Sequence, residues 1–216
     1  MNWLYKLERK FGKFGIPNLM LYVVGGQLIA WIVMMLFYAP LPFKMILSRP
    51  MLLHGEIWRL LSFLFIPTTQ MNPLFVMLEL YLLYWIGSSL ERAWGSFKFT
   101  VYFGLGVVGA WLACLVCGIG VANSLYYSLF FAFAMLFPNT ELLLFFVLPV
   151  KVKWLGWIAG ALYLFDVIRA PWVSKAALIL GLLNFFVFFG KSGLRQIKDS
   201  YTNYQRRKAW QNQWRQ

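Results

Sequence analysis

Residues 18–37 read NLMLYVVGGQLIAWIVMMLF, a run without a single charged side chain. A helix crosses the hydrocarbon core of a bilayer with about 20 apolar residues. This run supplies them from Asn18 to Phe37, and Pro17 stands at its start. The rest of the chain has the same character. Its 216 residues are 61% apolar, 20% aromatic and 12% charged, whereas a soluble domain is nearer 45–50% apolar and about 25% charged. That balance argues against a water-soluble enzyme, a nucleic-acid-binding domain and a disordered chain. It predicts an all-α, polytopic membrane protein.

Working outward, five further apolar runs are expected to span. They cover about Pro73–Leu90, stopped by Glu91-Arg92; Phe99–Val121; Asn123–Phe137, closed by Pro138-Asn139; Trp154–Ile168; and Trp172–Gly190. Leu142–Pro149 is apolar but too short to cross. Pro40–Thr69 is apolar too, yet Pro42, Lys44, Arg49, Pro50, His54, Glu56 and Arg59 interrupt it. Lipid offers the backbone no hydrogen-bond partners, so such a stretch fits an interfacial or re-entrant segment. No cleavable signal peptide is evident, because the first apolar run is too long for a signal h-region.

The flanks are basic. Residues 1–17 put Leu4, Leu7, Phe11 and Phe14 at helical spacing with Lys6, Arg9, Lys10 and Lys13 between them. That pattern reads as an interfacial amphipathic segment, or else as a solvated basic tail. Residues 191–216 form a second basic tail carrying Tyr201, Tyr204, Trp210 and Trp214. Three parts follow: an interfacial segment 1–17, a six-helix membrane domain 18–190 and a tail 191–216.

With six spans both ends lie on one side, and the charges then sort. That side holds Lys6, Arg9, Lys10, Lys13, Arg92, Lys98, Lys151, Lys153 and the seven Lys/Arg of the tail, fifteen in all. The other holds Lys44, Arg49, Arg59, Arg169 and Lys175, the remaining five of the twenty. Cytoplasmic loops carry the excess of Lys and Arg, so both termini are expected in the cytoplasm. The net charge of +13 is then a matter of topology, the lipid bilayer is the expected anionic partner, and nucleic acid is not expected.

Few side chains could carry chemistry. Glu79 is the one carboxylate well inside a span, and reads either as a functional group or as one hydrogen-bonded within the bundle. Cys114 and Cys117 have no histidine nearby and read as packing rather than as a metal site. His54 is the sole histidine and reads as structural. No phosphate-cradling glycine loop is present, and neither cofactor nor metal is expected.

Four stretches resemble the rhomboid superfamily in order and topology, over roughly residues 18–190. Gly55-Glu56-Ile57-Trp58-Arg59-Leu60-Leu61 is similar to the Trp-Arg motif of the rhomboid first loop. Glu91-Arg92 with Gly95-Ser96 resembles the Glu-Arg-x-x-Gly ending of the second helix. Ala132–Asn139 and Val150–Leu155 resemble the end of the fourth helix and the start of the fifth in bacterial rhomboids. The resemblance implies a six-helix bundle with an interfacial first loop in a bacterial cytoplasmic membrane.

Rhomboid proteases use a serine in a Gly-x-Ser-Gly motif and a histidine on the sixth helix. Counted back from Phe137-Pro138-Asn139, that motif falls on Val121-Ala122-Asn123-Ser124, which puts Asn123 at the nucleophile position. The sixth span holds no histidine. The His and Asn that assist on the second helix are absent in both registers, Asn72 with Val76 or Phe75 with Glu79. An amide cannot form an acyl-enzyme, and a serine without a base is a weak nucleophile. The resemblance therefore implies an inactive, derlin-like relative that recognises transmembrane helices of client proteins. Trp58 and Arg59 would hold the first loop, and Glu79, Asn123 and Ser124 would face a client. Two alternatives stand beside it. One is a protease rearranged around Ser124 and Lys175; the other is a small transporter or channel, for which one buried carboxylate and no internal repeat give little support.

Overall fold

A computed structural model describes residues 2–37, 41–68, 72–120, 122–144 and 148–190; the basic tail 191–216 lies outside them. The fold is mostly helical. The interfacial stretch forms α1 (Asn2–Phe11) and a 3-10 turn (Gly12–Phe14), followed by α2 (Leu19–Phe37). The first loop breaks into α3 (Leu41–Met45), α4 (Arg49–Leu53), α5 (Arg59–Ser62) and a 3-10 turn (Phe63–Phe65). Then come α6 (Pro73–Trp94), α7 (Ser96–Cys117), α8 (Asn123–Leu136), α9 (Val152–Arg169) and α10 (Trp172–Gly181), and the chain is helical again over 183–190.

Six apolar runs thus become helices, but they are not equal. Three of them, α2, α6 and α7, are long and apolar enough to cross a membrane, which makes this a membrane-embedded protein. Helix α8 has 14 residues, about 21 Å of rise against a hydrocarbon core of about 30 Å. The last run is interrupted at Leu182. The fold also has strand, which an all-α reading lacks. Glu141–Leu144 (β3) pairs antiparallel with Leu148–Lys151 (β4), so part of the stretch too short to span folds as a two-stranded ladder. Leu47–Ser48 (β1) pairs with Ile119–Gly120 (β2), stitching the first loop to the end of α7.

Specific contacts fix which ends lie together. The Glu91 carboxylate, near the end of α6, accepts from the Asn18 amide at 2.8 Å and from Ser96 Oγ at 2.7 Å. One carboxylate therefore ties the start of α2, the end of α6 and the start of α7. The turn needs Gly95, whose φ of +84° is strained for residues with a Cβ. On that same side Glu8 of α1 pairs with Lys98 at 3.1 Å. Arg92 is exposed there.

At the opposite end the first loop is held by side chains from three helices. Gln27 of α2 donates to the Leu64 carbonyl at 2.9 Å, and Tyr126 of α8 donates to the same oxygen at 2.7 Å. Trp111 of α7 donates to the Leu60 carbonyl at 2.9 Å. Arg59 is buried at 4% exposure and donates through Nη1 to the carbonyls of Phe43 and Ile46, both at 2.8 Å. Its Nε and Nη2 reach the Glu56 carboxylate at 2.7 and 2.6 Å. Trp58, 57% exposed, stands outward beside it.

The core lies between α2, α6, α7 and α8, with Met20, Leu90, Phe99, Tyr102, Leu129 and Phe133 among its most buried members. A buried polar chain crosses it: Tyr102 donates to the Ser128 carbonyl at 2.8 Å, and Asn184 donates to Ser128 Oγ at 2.7 Å. Helix α9 is held least. Only Val152 and Tyr163 of its 18 residues are buried, while Trp157, Ile158, Leu162, Leu164 and Ile168 are mostly exposed.

A candidate helix-binding groove

Helices α6 and α9 both pack on α8, and between them lies a cavity of about 470 Å³. Its floor is the N-terminal half of α8, which contributes Asn123, Tyr126, Tyr127 and Phe130. One wall is α6 with Phe75, Glu79 and Leu82, and the other brings Ala159 of α9. The lining is mainly apolar, with its polar groups near the loop-side mouth.

The structure brings Glu79 and Asn123 to this one cavity. Asn123 is exposed at the first residue of α8. Glu79 lies six residues past Pro73, about 9 Å from the loop-side end of α6. There its Oε1 accepts from the Thr68 amide at 2.9 Å. The carboxylate is thus partly committed to the backbone that follows the first loop, and borders the groove near its mouth rather than sitting at mid-span.

Ser124 turns the other way. It is buried at 6% exposure against Gly181 of α10, and a Cβ on that glycine would fall on the serine's own Cβ and within 2.7 Å of its Oγ. Gly181 is required by this close approach. The contact also revises the depth match expected for Ser124 and Lys175. Six residues of α10 separate Lys175 from Gly181, about 9 Å along the axis. The lysine side chain leaves the helix toward its N-terminus, farther from Ser124, and its ammonium rests 4.9 Å from the centre of the Trp172 ring. The two groups are not brought together.

Sequence reasoning missed Gln27, Tyr126, Ser128 and Asn184, which make the polar contacts of the core. Gln27 and Asn184 are single polar residues within apolar runs, and that is their signal in the sequence. Tyr126 and Ser128 sit among the polar groups of 123–128, where nothing local singles them out. Glu56, Trp58 and Arg59 cluster at the first loop, and Glu91 and Arg92 at the opposite end, so neither set reaches the cavity. Cys114 is buried and Cys117 partly so, and neither is in a disulfide. Among the described residues, no three His, Cys, Asp or Glu side chains gather where a metal ion could be held.

Chemically, the cavity offers apolar surface, the Glu79 carboxylate as an acceptor, the Asn123 amide, and the hydroxyl-bearing Thr68, Tyr126 and Tyr127. These can hydrogen-bond a guest. No protein-family model matches this chain, and no curated protein matches it in sequence.

Proposed function

We propose that this chain is a six-span, non-proteolytic rhomboid-like membrane protein that recognises transmembrane helices of client proteins in the groove between α6 and α9. The observation that carries the reading is the pairing of Asn123 and Glu79 on one laterally placed apolar cavity. A client helix would lay apolar side chains along Phe75, Leu82 and Phe130, and a polar client residue would meet the amide or the carboxylate. Interhelical hydrogen bonds in membranes are worth only about 0.6–2 kcal/mol each, so engagement is weak and reversible, as suits a protein that samples many clients. The shared location of the α2 start, the α6 end and the α7 start supports alternating passage of these helices through the bilayer. The shorter α8, the 18-residue α9 and the interrupted last run complete the six within the bundle. Both termini then lie in the cytoplasm of a bacterial cell, on the side richer in Lys and Arg.

The test is photocrosslinking in native membranes from reactive residues placed at Asn123 and Glu79, with Ile29, 65% exposed on α2, as the lipid-facing control. Adducts from the two groove positions should map to apolar spans of other membrane proteins. Adducts equal to those from position 29 would overturn the reading. In parallel, a fluorophosphonate probe should leave the purified protein unlabelled in lipid while an active rhomboid protease labels. Labelling lost in both Ser124→Ala and Lys175→Ala would establish the rearranged protease instead.

A further inference from the structure

A second concavity lies on the other side of α9, away from the proposed client groove. It measures about 600 Å³ and runs between the C-terminal half of α8, α9 and residues 182–186. Phe131, Met135, Trp157, Leu164, Leu182 and Phe186 supply apolar walls. Its polarity is concentrated at one end. Lys153 stands there, exposed beside Pro138, with its ammonium 5.4 Å from the centre of the Trp154 ring. Of the other polar side-chain groups in the lining, the Tyr163 hydroxyl already donates to the Leu178 carbonyl at 2.9 Å, and the indole of Trp157, a residue 77% exposed, stands one turn from Lys153.

Length and charge together identify what fits. From Lys153 to Leu164 the groove follows eleven residues of α9, about 16 Å of helix. One leaflet of a bilayer has about 15 Å of hydrocarbon. The groove is therefore as long as a single leaflet is deep, apolar throughout, and cationic at one end only. Along its wall Gly160 leaves open space, with no atom within 4 Å of where a Cβ would stand. Lys151 is the neighbouring cation, but it lies across the ladder from Glu141. Among the described residues Lys153 has no carboxylate partner.

We propose that this groove seats one acyl chain of an anionic phospholipid, with the lipid phosphate on Lys153. The occupant is a lipid rather than a protein helix because the groove is no longer than one leaflet and carries its charge at one end, as a headgroup stands over its acyl chain. Anionic lipids of the cytoplasmic leaflet attract basic groups at this level. A resident lipid would fill the space between α9 and the last helix and so support the most weakly buried helix of the bundle.

Native mass spectrometry of the delipidated full-length chain in detergent tests this, with phosphatidylglycerol and phosphatidylcholine of identical acyl chains as the probes. The wild type should retain one phosphatidylglycerol in preference to phosphatidylcholine. Lys153→Ala should cut that preference about fivefold, the effect of one charge at a headgroup, whereas Lys151→Ala should leave it in place. Gly160→Leu, whose Cβ enters open space, should lose the retained lipid of either kind and keep the wild-type melting temperature. Equal effects of the two lysine variants would make the attraction a generic property of a basic face and overturn the site. Full retention by Gly160→Leu, or no lipid retained by the wild type because its own tail fills the groove, would overturn it as well.

Discussion

Replacing Arg59 by alanine tests the architecture of the first loop most directly. The side chain is 5% exposed and satisfies the carbonyls of Phe43 and Ile46 as well as the Glu56 carboxylate. Truncation strands two acceptors, each costing about 1–3 kcal/mol where water cannot replace the donor. It also leaves a carboxylate without its cation, but the Glu56 side chain is 28% exposed, so hydration recovers most of that loss. The expected net cost is about 2–4 kcal/mol, since the loop borders water and some carbonyl hydration returns. For a chain of this size that corresponds to a fall in melting temperature of about 5–15 °C. Thermal unfolding in detergent, followed by the fluorescence of a thiol-reactive dye on Cys114 and Cys117, gives the value. Glu56→Gln retains an acceptor for Nε and should lose less than half as much. If Arg59→Ala melts with the wild type, or Glu56→Gln costs as much as Arg59→Ala, the carbonyl contacts do not hold the loop.

Two other substitutions probe the opposite end and the interior. Glu91→Ala removes the acceptor shared by the Asn18 amide and Ser96 Oγ; it should cost about 1–2 kcal/mol and speed limited proteolysis between α1 and α2, and an unchanged cleavage rate would refute the tie. Gly181→Ala drives a methyl group into Ser124 and should destabilise by about 1–3 kcal/mol through overpacking, measured by the same melt, whereas a neutral result would mean that α8 and α10 separate easily.

The sequence made some of this legible for definite reasons. Uncharged runs such as 18–37 mark helices because lipid tolerates little else. Arg59 was readable as a loop anchor because a guanidinium beside an interrupted apolar stretch has carbonyls within reach. Glu91 was visible as part of a motif, but its partners Asn18 and Ser96 lie 73 and 5 residues away, and nothing local names them. The inward faces of α2, α7 and α8 were not readable at all. In water an apolar stripe points to the core, but here the outer face meets lipid and is apolar too, so no periodicity separates Gln27, Tyr102 or Ser128 from their neighbours. The β3–β4 ladder escaped notice for a related reason: 142–149 is continuously apolar and carries no Gly or Asn turn signal. For the candidate site, Glu79 and Asn123 could be singled out as polar groups in apolar surroundings. That they share a cavity while adjacent Ser124 does not depends on the rotation of α8, which tertiary contacts set: Gly181 against Ser124, Asn184 on Ser128 and Tyr126 on the Leu64 carbonyl.

The shallow seating of α9 has a thermodynamic consequence. A helix that buries two of its 18 residues exchanges mostly lipid contacts for lipid contacts when it tilts away from α8. The restoring force comes from the Tyr163 hydroxyl on the Leu178 carbonyl and from the rings of Tyr127 and Phe131 against Tyr163. The spacing between α6 and α9 is then a soft coordinate, set as much by what occupies either flank of α9 as by the polypeptide. Bilayer thickness and lipid composition would act on it directly, so the same chain could be more open in one membrane than in another without any change in sequence.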